Sequence, residues 1–276
     1  MIIAVLSGKG GTGKTTVSTC LAASVTTCRY IDCDVEEPNG AIFLNPEIRK
    51  SLPVKVSIPK VDMAKCIGCG NCGKACQYNA IAVVKGKVII FPELCHHCGA
   101  CMLTCPNNAI GEEDRVIGII EANEDETFLQ GRLNVGEPVG IPIINELKKY
   151  LKRDMPSILD CSPGASCAVV RSIEGSDYCI LVTEPTPFGL HDLKIAVRLV
   201  RIMGIPHGVV VNKVSADSSI IQDFCRGEGV EVLMELPFSR ELAEAYSKGI
   251  IPVHHDSAWK ERFAGLYRKA ERGAGK

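Results

Sequence analysis

A chain of 276 residues, 46% of them hydrophobic, is long enough to bury one large core or two smaller ones, so its size alone does not call for stapling by disulfides. The formal net charge of -1 leaves none of the global basic footprint that nucleic acids and anionic membranes select, and any such contact would have to be local. Cysteine is the anomaly, with 15 in the chain; no signal-peptide pattern follows Met1 and no run of about 18 apolar residues occurs, so we expect a reducing cytoplasm in which thiols serve as metal ligands.

Residues 2–6 form a short apolar run, enough for one buried strand, and residues 17–24 continue with helix-compatible small and apolar residues, to about Thr27. Between them lies Ser7-Gly8-Lys9-Gly10-Gly11-Thr12-Gly13-Lys14-Thr15-Thr16. Strand, Gly-x4-Gly-Lys-Thr spacing and helix coincide, which predicts a phosphate-binding loop. Gly8, Gly10, Gly11 and Gly13 permit a tight turn whose backbone N–H groups face an anion, and the helix N-terminus adds partial positive charge. Lys14 is expected to reach the β- and γ-phosphates, and the Thr15 hydroxyl to ligate Mg²⁺. Next comes Arg29-Tyr30-Ile31-Asp32-Cys33-Asp34, a short strand with carboxylates at its C-terminal end, where open α/β sheets place their ligands. Carboxylates at a strand tip are often plain turn residues. Beside a phosphate loop, an Asp there can hold Mg²⁺ through water or orient and deprotonate the water that attacks the γ-phosphate.

Residues 46–59 read as an irregular entry linker, with Pro53 and Pro59 bracketing Val54-Lys55-Val56-Ser57-Ile58. An internal repeat follows. Cys66-x2-Cys69-x2-Cys72-x3-Cys76 recurs 29 residues later as Cys95-x2-Cys98-x2-Cys101-x3-Cys105, and Asn79-Ala80-Ile81 recurs as Asn108-Ala109-Ile110. Three thiolates two residues apart can wrap one [4Fe-4S] cube, and in the bacterial ferredoxin pattern the fourth cysteine ligates the other cluster. That assigns Cys66, Cys69, Cys72 and Cys105 to one cluster, and Cys95, Cys98, Cys101 and Cys76 to the second. Zinc competes because Cys-x2-Cys pairs also suit tetrahedral sites, although eight ligands in two four-cysteine runs fit it poorly. The second run ends in Cys105-Pro106, as the pattern has it, and the first in Cys76-Gln77, a departure that removes no ligand. His96 and His97 are surplus to eight thiolates and are expected at the surface or as modifiers of a nearby cluster; Tyr78 and Phe91 are expected to pack.

Residues 115–121 and 127–133 have strand character around an acidic turn, so a hairpin is expected, and Pro138 is expected to open a helix with Ile141, Ile144, Leu147 and Leu151 on one face. The apolar run ending in Asp160 looks like a Walker B element near the Mg²⁺ water shell, with Pro163-Gly164 a switch turn whose Gly164 N–H could sense the γ-phosphate. Strands at 178–183, 207–211 and 231–236 alternate with helices at 190–203, after Asp217 and at 240–248, which specifies a mainly parallel sheet covered on both faces. Asn212 ends one of these strands, and its amide could pair with a purine or simply serve a turn. The tail from Ala258 to Lys276 is amphipathic and basic, with Trp259, Phe263, Leu266, Tyr267 and Ala270 on one face; packing on the domain is expected over a membrane-surface role.

With these residues placed, the chain resembles the deviant Walker A ATPases of the MinD/ParA and nitrogenase iron protein superfamily, and more narrowly the MinD-like ATPases with an inserted ferredoxin domain. The marks are Lys9 in Lys-Gly-Gly-Thr-Gly-Lys-Thr, Asp32-Cys33-Asp34 as switch I, Asp160 with Pro163-Gly164 as switch II, and eight cysteines between the switches. The fold expected is α/β: a doubly wound, mainly parallel sheet over residues 1–56 and 114–276, with a small α+β two-[4Fe-4S] domain inserted at 57–113. The resemblance implies that Lys9 acts in trans on a partner's ATP across a two-fold interface, with an identical or paralogous subunit. It also implies that Asp34 positions or activates water, that Asp160 serves Mg²⁺ and switch II, and that Asn212 with Pro237-Phe238 holds adenine. Cys167 lies seven residues after Asp160, an offset similar to that of a cluster-binding cysteine in the nitrogenase iron protein; with no second such cysteine, a buried small residue is expected instead. The function expected is a Mg²⁺-dependent ATPase that couples ATP or ADP state to two clusters, for gated electron transfer or cluster assembly with a redox or client protein. The competing expectation is a spatial-positioning ATPase whose clusters are structural or sensory.

Overall fold

The computed structural model describes residues 1–215 and 219–275, so Asp217 and Lys276 fall outside the described residues. In chain order the strands and helices begin with β1 (Ile2–Leu6), α1 (Lys14–Ser24), β2 (Arg29–Asp32), α2 (Gly40–Leu44) and β3 (Lys50–Val61). The cysteine-rich stretch contributes α3 (Asn71–Ala75), β4 (Ile81–Val84), β5 (Lys87–Ile90) and α4 (Ala100–Leu103). Then come β6 (Ile110–Ala122), β7 (Phe128–Leu133), α5 (Ile141–Lys148), β8 (Ser157–Asp160), α6 (Cys167–Ile173), β9 (Tyr178–Thr183) and α7 (Pro187–Ile202). The chain closes with β10 (His207–Val214), α8 (Ser219–Glu228), β11 (Glu231–Pro237), α9 (Arg240–Ser247) and α10 (Ser257–Ala274).

Among the described residues, nine strands form one sheet in the order β11-β10-β9-β1-β8-β2-β7-β6-β3. Only β6 runs against the rest, pairing antiparallel with both β7 and β3. Because side chains alternate across a strand, β1 feeds two cores. Ile3 and Val5 join Val17 and Leu21 of α1 and Phe263 and Leu266 of α10 on one face. Ala4 and Leu6 join α5, α6 and α7 on the other through Ile144, Val169 and Val197. The basic tail is thus a packed helix: Phe263, Leu266 and Ala270 are buried, and Trp259 and Tyr267 lie against the same core. It also guards an open edge, since Lys269 Nζ donates to the Leu233 carbonyl (2.5 Å) and Arg262 Nη2 to that of Glu235 (2.9 Å) on the outermost strand β11. Among the described residues no helix is long and apolar enough to cross a membrane.

The expected linker at 46–59 is corrected: from Lys50 onward it is a twelve-residue strand, β3, paired along its whole length with β6. Its alternation is plain in the burial of Val54, Val56 and Ile58. Its prolines are tolerated because β3 is an edge strand and Pro53 and Pro59, an even number of residues apart, both turn their amide positions away from β6. Helix α5 begins at Ile141 with Pro142 in its first turn, later than Pro138, and ends before Leu151. Cys167 is exposed at the first position of α6, against the burial expected of it, because the turn after β8 carries it beyond the sheet.

Candidate nucleotide and metallocluster sites

The loop between β1 and α1 lies at the C-terminal ends of the parallel strands, where Asp32 of β2 and Asp160 of β8 sit side by side in register. Gly13 caps α1 in a left-handed conformation (φ 90°), and a Cβ there would come within 2.1 Å of Asn212 Nδ2, so the turn excludes any other residue. Lys14, only 7% exposed, places Nζ 2.5 Å from Asp160 Oδ1 and 3.5 Å from Asp34 Oδ2. Burial works against its charge, but Asp160, Asp34 and Asp32 together raise the ammonium above its usual range. Burial also raises both Asp32, where the Asp160 charge adds to the effect, and Asp34, where Lys14 partly offsets it.

The two switch carboxylates do different work. Asp32 is fully buried and accepts the backbone N–H groups of Asp34 (3.1 Å), Asn39 (3.0 Å) and Gly40 (2.9 Å), so it shapes the loop. Asp34 instead lines an open cleft. The structure brings Gly10, Gly11, Gly13, Lys14, Thr15, Thr16, Asn212, Pro237 and Phe238 to the same cleft. Other expected site residues stand behind or beside it. Gly8 packs on Asp192 of α7, and Thr12 is buried with its hydroxyl unpartnered. Asp160 is held behind Lys14 by Tyr30 Oη (3.0 Å), and the Gly164 N–H donates to the Ser7 carbonyl (2.8 Å). Lys9 pairs with Glu184 at 3.5 Å, which also holds Lys213 at 2.5 Å. Asn212 Nδ2 and Lys213 Nζ grip the loop carbonyls of Thr12 (2.8 Å) and Gly11 (2.7 Å). A buried lysine, open backbone at Gly10 and Gly11, a helix N-terminus and an orphaned Thr12 hydroxyl fit a polyphosphate, and the oxygen donors of Thr15, Asp34 and Asp160 fit Mg²⁺.

The cysteine-rich stretch hangs from the far ends of β3 and β6. One cavity is lined by Cys66, Cys69, Cys72 and Cys105. Another is lined by Cys76, Cys95, Cys98 and Cys101. All eight are free thiols, and among the described residues no three metal-binding side chains lie close enough to share a single ion. Four thiols that enclose a cavity without converging on a single point suit a multinuclear thiolate-bound core better than one tetrahedral zinc. Backbone N–H groups of His97 and Ala109 point at the sulfurs of Cys95 (3.5 Å) and Cys105 (3.2 Å), an arrangement that favours thiolates. The repeat extends to backbone conformation. Gly70 and Gly99 are both left-handed, as are Asn79 and Asn108, and His97 (φ 56°) takes the place that Gly68 (φ 65°) holds in the first copy. His96 stacks face to face on Tyr78, with ring centroids 3.6 Å apart.

Residues 3–253 match the CobQ/CobB/MinD/ParA nucleotide binding domain. The chain belongs to this family. It is 34% identical over 259 residues to protein MJ0579 of Methanocaldococcus jannaschii, covering 90% of each chain. It is 25% identical to an iron-sulfur cluster carrier protein of the same organism, over 97% of this chain and 82% of that one. Among solved structures, the septum site-determining protein MinD of Pyrococcus horikoshii complexed with Mg-ADP superposes with a TM-score of 0.58 at 19% identity, over 99% of this chain and 97% of that chain, which shows the shared fold.

Within this MinD/ParA-type site, the sequence reading overlooked Tyr30, Glu184 and Lys213. Tyr30 had a faint signal, since it lies two residues before Asp32 on one strand and must share its face. Lys213 ends a strand that the sequence already brings to the ligand edge, but its pairing with Glu184 and the loop carbonyl of Gly11, like that of Glu184 with Lys9, appears only in the fold.

Proposed function

We propose that the protein is an ATP-binding and ATP-hydrolysing dimeric switch that couples nucleotide state to two [4Fe-4S] clusters, serving gated electron transfer or cluster delivery to a client in the cytoplasm. One observation carries this reading: the strands that bear the two four-thiol cavities, β3 and β6, belong to the same sheet whose strand ends hold Lys14, Asp34 and Asp160. The resemblance to an iron-sulfur cluster carrier protein supports it.

In this reading the loop N–H groups and Lys14 bind the β- and γ-phosphates, and adenine lies toward Asn212, Pro237 and Phe238. Lys14 exchanges its contact with Asp160 for phosphate. Asp160 and the Thr15 hydroxyl then hold Mg²⁺, directly or through water, which when bound neutralises phosphate charge. Asp34 orients the attacking water and accepts its proton as the new P–O bond forms and the bond to the β,γ-bridging oxygen breaks. Its raised carboxyl suits a group that must take up a proton. Lys9 leaves Glu184 to reach the partner's nucleotide. The Cys66, Cys69, Cys72 and Cys105 thiolates hold one cluster, and Cys95, Cys98, Cys101 and Cys76 the other, each supplying a one-electron redox centre when bound.

The test is anaerobic purification with iron and sulfide counts, followed by cluster midpoint potential and oligomeric mass with and without ATP in the Asp34→Asn variant. We expect about eight iron atoms per chain, an ATP-dependent dimer and a nucleotide-dependent potential. A cluster potential in that variant indifferent to ATP, together with a wild-type hydrolysis rate indifferent to the clusters' redox state, would sink the coupling. ATP-dependent sedimentation with liposomes or DNA would favour a positioning role in its place.

A further inference from the structure

We propose that Arg115 and Glu137 form the strut through which the nucleotide site and the Cys95 cavity sense each other, an inference that rests on the coupling proposed above. Arg115 lies next to a bulge in β6. The register slips between Val54 and Lys55, leaving Ile117 as the extra residue, and bulges of this kind re-aim the side chains beside them. Re-aimed, the guanidinium forks onto Glu137, with Nη1 3.0 Å from Oε2 and Nη2 2.7 Å from Oε1. The Glu137 side chain is only 5% exposed, so the pair is largely shielded from water. The same Nη1 donates to the Pro92 carbonyl (2.9 Å), which also accepts the Cys95 N–H (3.1 Å). The guanidinium therefore grips the turn that presents Cys95.

At its other end the strut meets switch I. Glu137 belongs to the loop after β7, which is pinned to the bulge by the Asn134 N–H on the Ile117 carbonyl (2.9 Å) and by Asn134 Nδ2 on that of Val116 (3.3 Å). At the start of that loop, Leu133 N–H donates to the Val35 carbonyl (2.8 Å), and Val35 is bonded to Asp34. Val35 has no slack: a Cβ on Gly131 or Gly140 would come within 2.8 or 2.5 Å of its side chain. A shift of Asp34 is thus passed through close-packed atoms to the 134–137 loop, then through a bidentate ion pair to Pro92 and Cys95. A lysine at 115 keeps the charge but cannot fork, so fork and charge are separable.

The experiment uses the cluster-loaded full chain as wild type, Arg115→Lys, Glu137→Gln and the double variant. Amide hydrogen exchange over residues 92–101 and cluster midpoint potential are measured with and without Mg²⁺ and AMPPNP. In wild type the nucleotide should change exchange in that segment several-fold and move the potential. Each single variant should keep its iron and bind AMPPNP within about twofold of wild type, yet lose most of both responses, and the double variant should be no worse than either single. Variants that respond as wild type does overturn the strut while leaving the coupling intact; a wild type that does not respond overturns the coupling itself. Loss of iron in both single variants would also overturn it, by making the pair a support of the cavity instead of a transmitter.

Discussion

Lys14, Asp160, Asp34, Asp32 and Tyr30 form one charge network around a single ammonium, and its hidden member is the tyrosine. Tyr30 is fully enclosed and spends its hydroxyl on Asp160 Oδ2, with Ser18 Oγ at 3.3 Å on its other side. Burial, reinforced by the Asp160 and Asp32 charges, holds its phenol well above the usual range, so it remains a donor at any working pH. Tyr30→Phe removes one donor to a buried carboxylate and should cost about 2 kcal/mol, the range measured for hydrogen bonds to charged groups. Urea unfolding should show a lower midpoint with an unchanged slope. An unchanged midpoint would mean that Lys14 alone satisfies Asp160. The lysine and the three aspartates could be read from the sequence because a fixed spacing and strand-end positions announce them. Glu184 and Lys213 could not, because they meet Lys9 and Gly11 only across two further strands.

At the scale of elements, the cysteine repeat was legible for a chemical reason: a loop that must wrap a small inorganic core tolerates little change in spacing. The structure groups the thiols in the same two sets, with Cys105 beside the first loop and Cys76 beside the second. We expect Cys105→Ser to lower iron content by roughly half, as one of two clusters is lost. Adding Cys69→Ser should remove nothing further, whereas adding Cys98→Ser should empty both cavities; iron analysis with electron paramagnetic resonance reads all three. The reverse pattern would show that each loop keeps its own fourth cysteine. Strand β3 was illegible for the opposite reason. Two prolines and three lysines disguise its period-2 pattern, and what makes them acceptable is a position at the sheet edge, a tertiary fact.

Across the whole molecule, stability is unevenly spread. The sheet is walled by two extensive cores, while the cysteine-rich stretch has a small cluster of its own, Cys72, Ile81 and Cys101, and joins the main core through Ala80, Cys95 and the half-buried Cys76. With so little apolar burial, the proposed inorganic centres would supply much of its order. Removing iron with a chelator should therefore speed amide exchange through residues 62–109 by orders of magnitude while β1, β8 and β9 stay protected. Uniform protection after iron removal would show that the stretch is held by protein contacts alone.

The ribbon of β3 and β6 also has a mechanical meaning. Strand β7 pairs with β6 only from Gly118 to Ala122, so residues 110–117 run on with β3 as their sole partner strand, a span of about 25 Å at the usual rise per residue. The ribbon is anchored where Val54, Val56, Ile58 and Ile117 join the main core and where Asn134 holds residues 116 and 117, so a tilt at that anchor would grow toward the cysteine-bearing tip. In the proposed function, electron exchange at the cysteines would fall steeply with distance, so such a tilt would tune it without remaking contacts in the sheet.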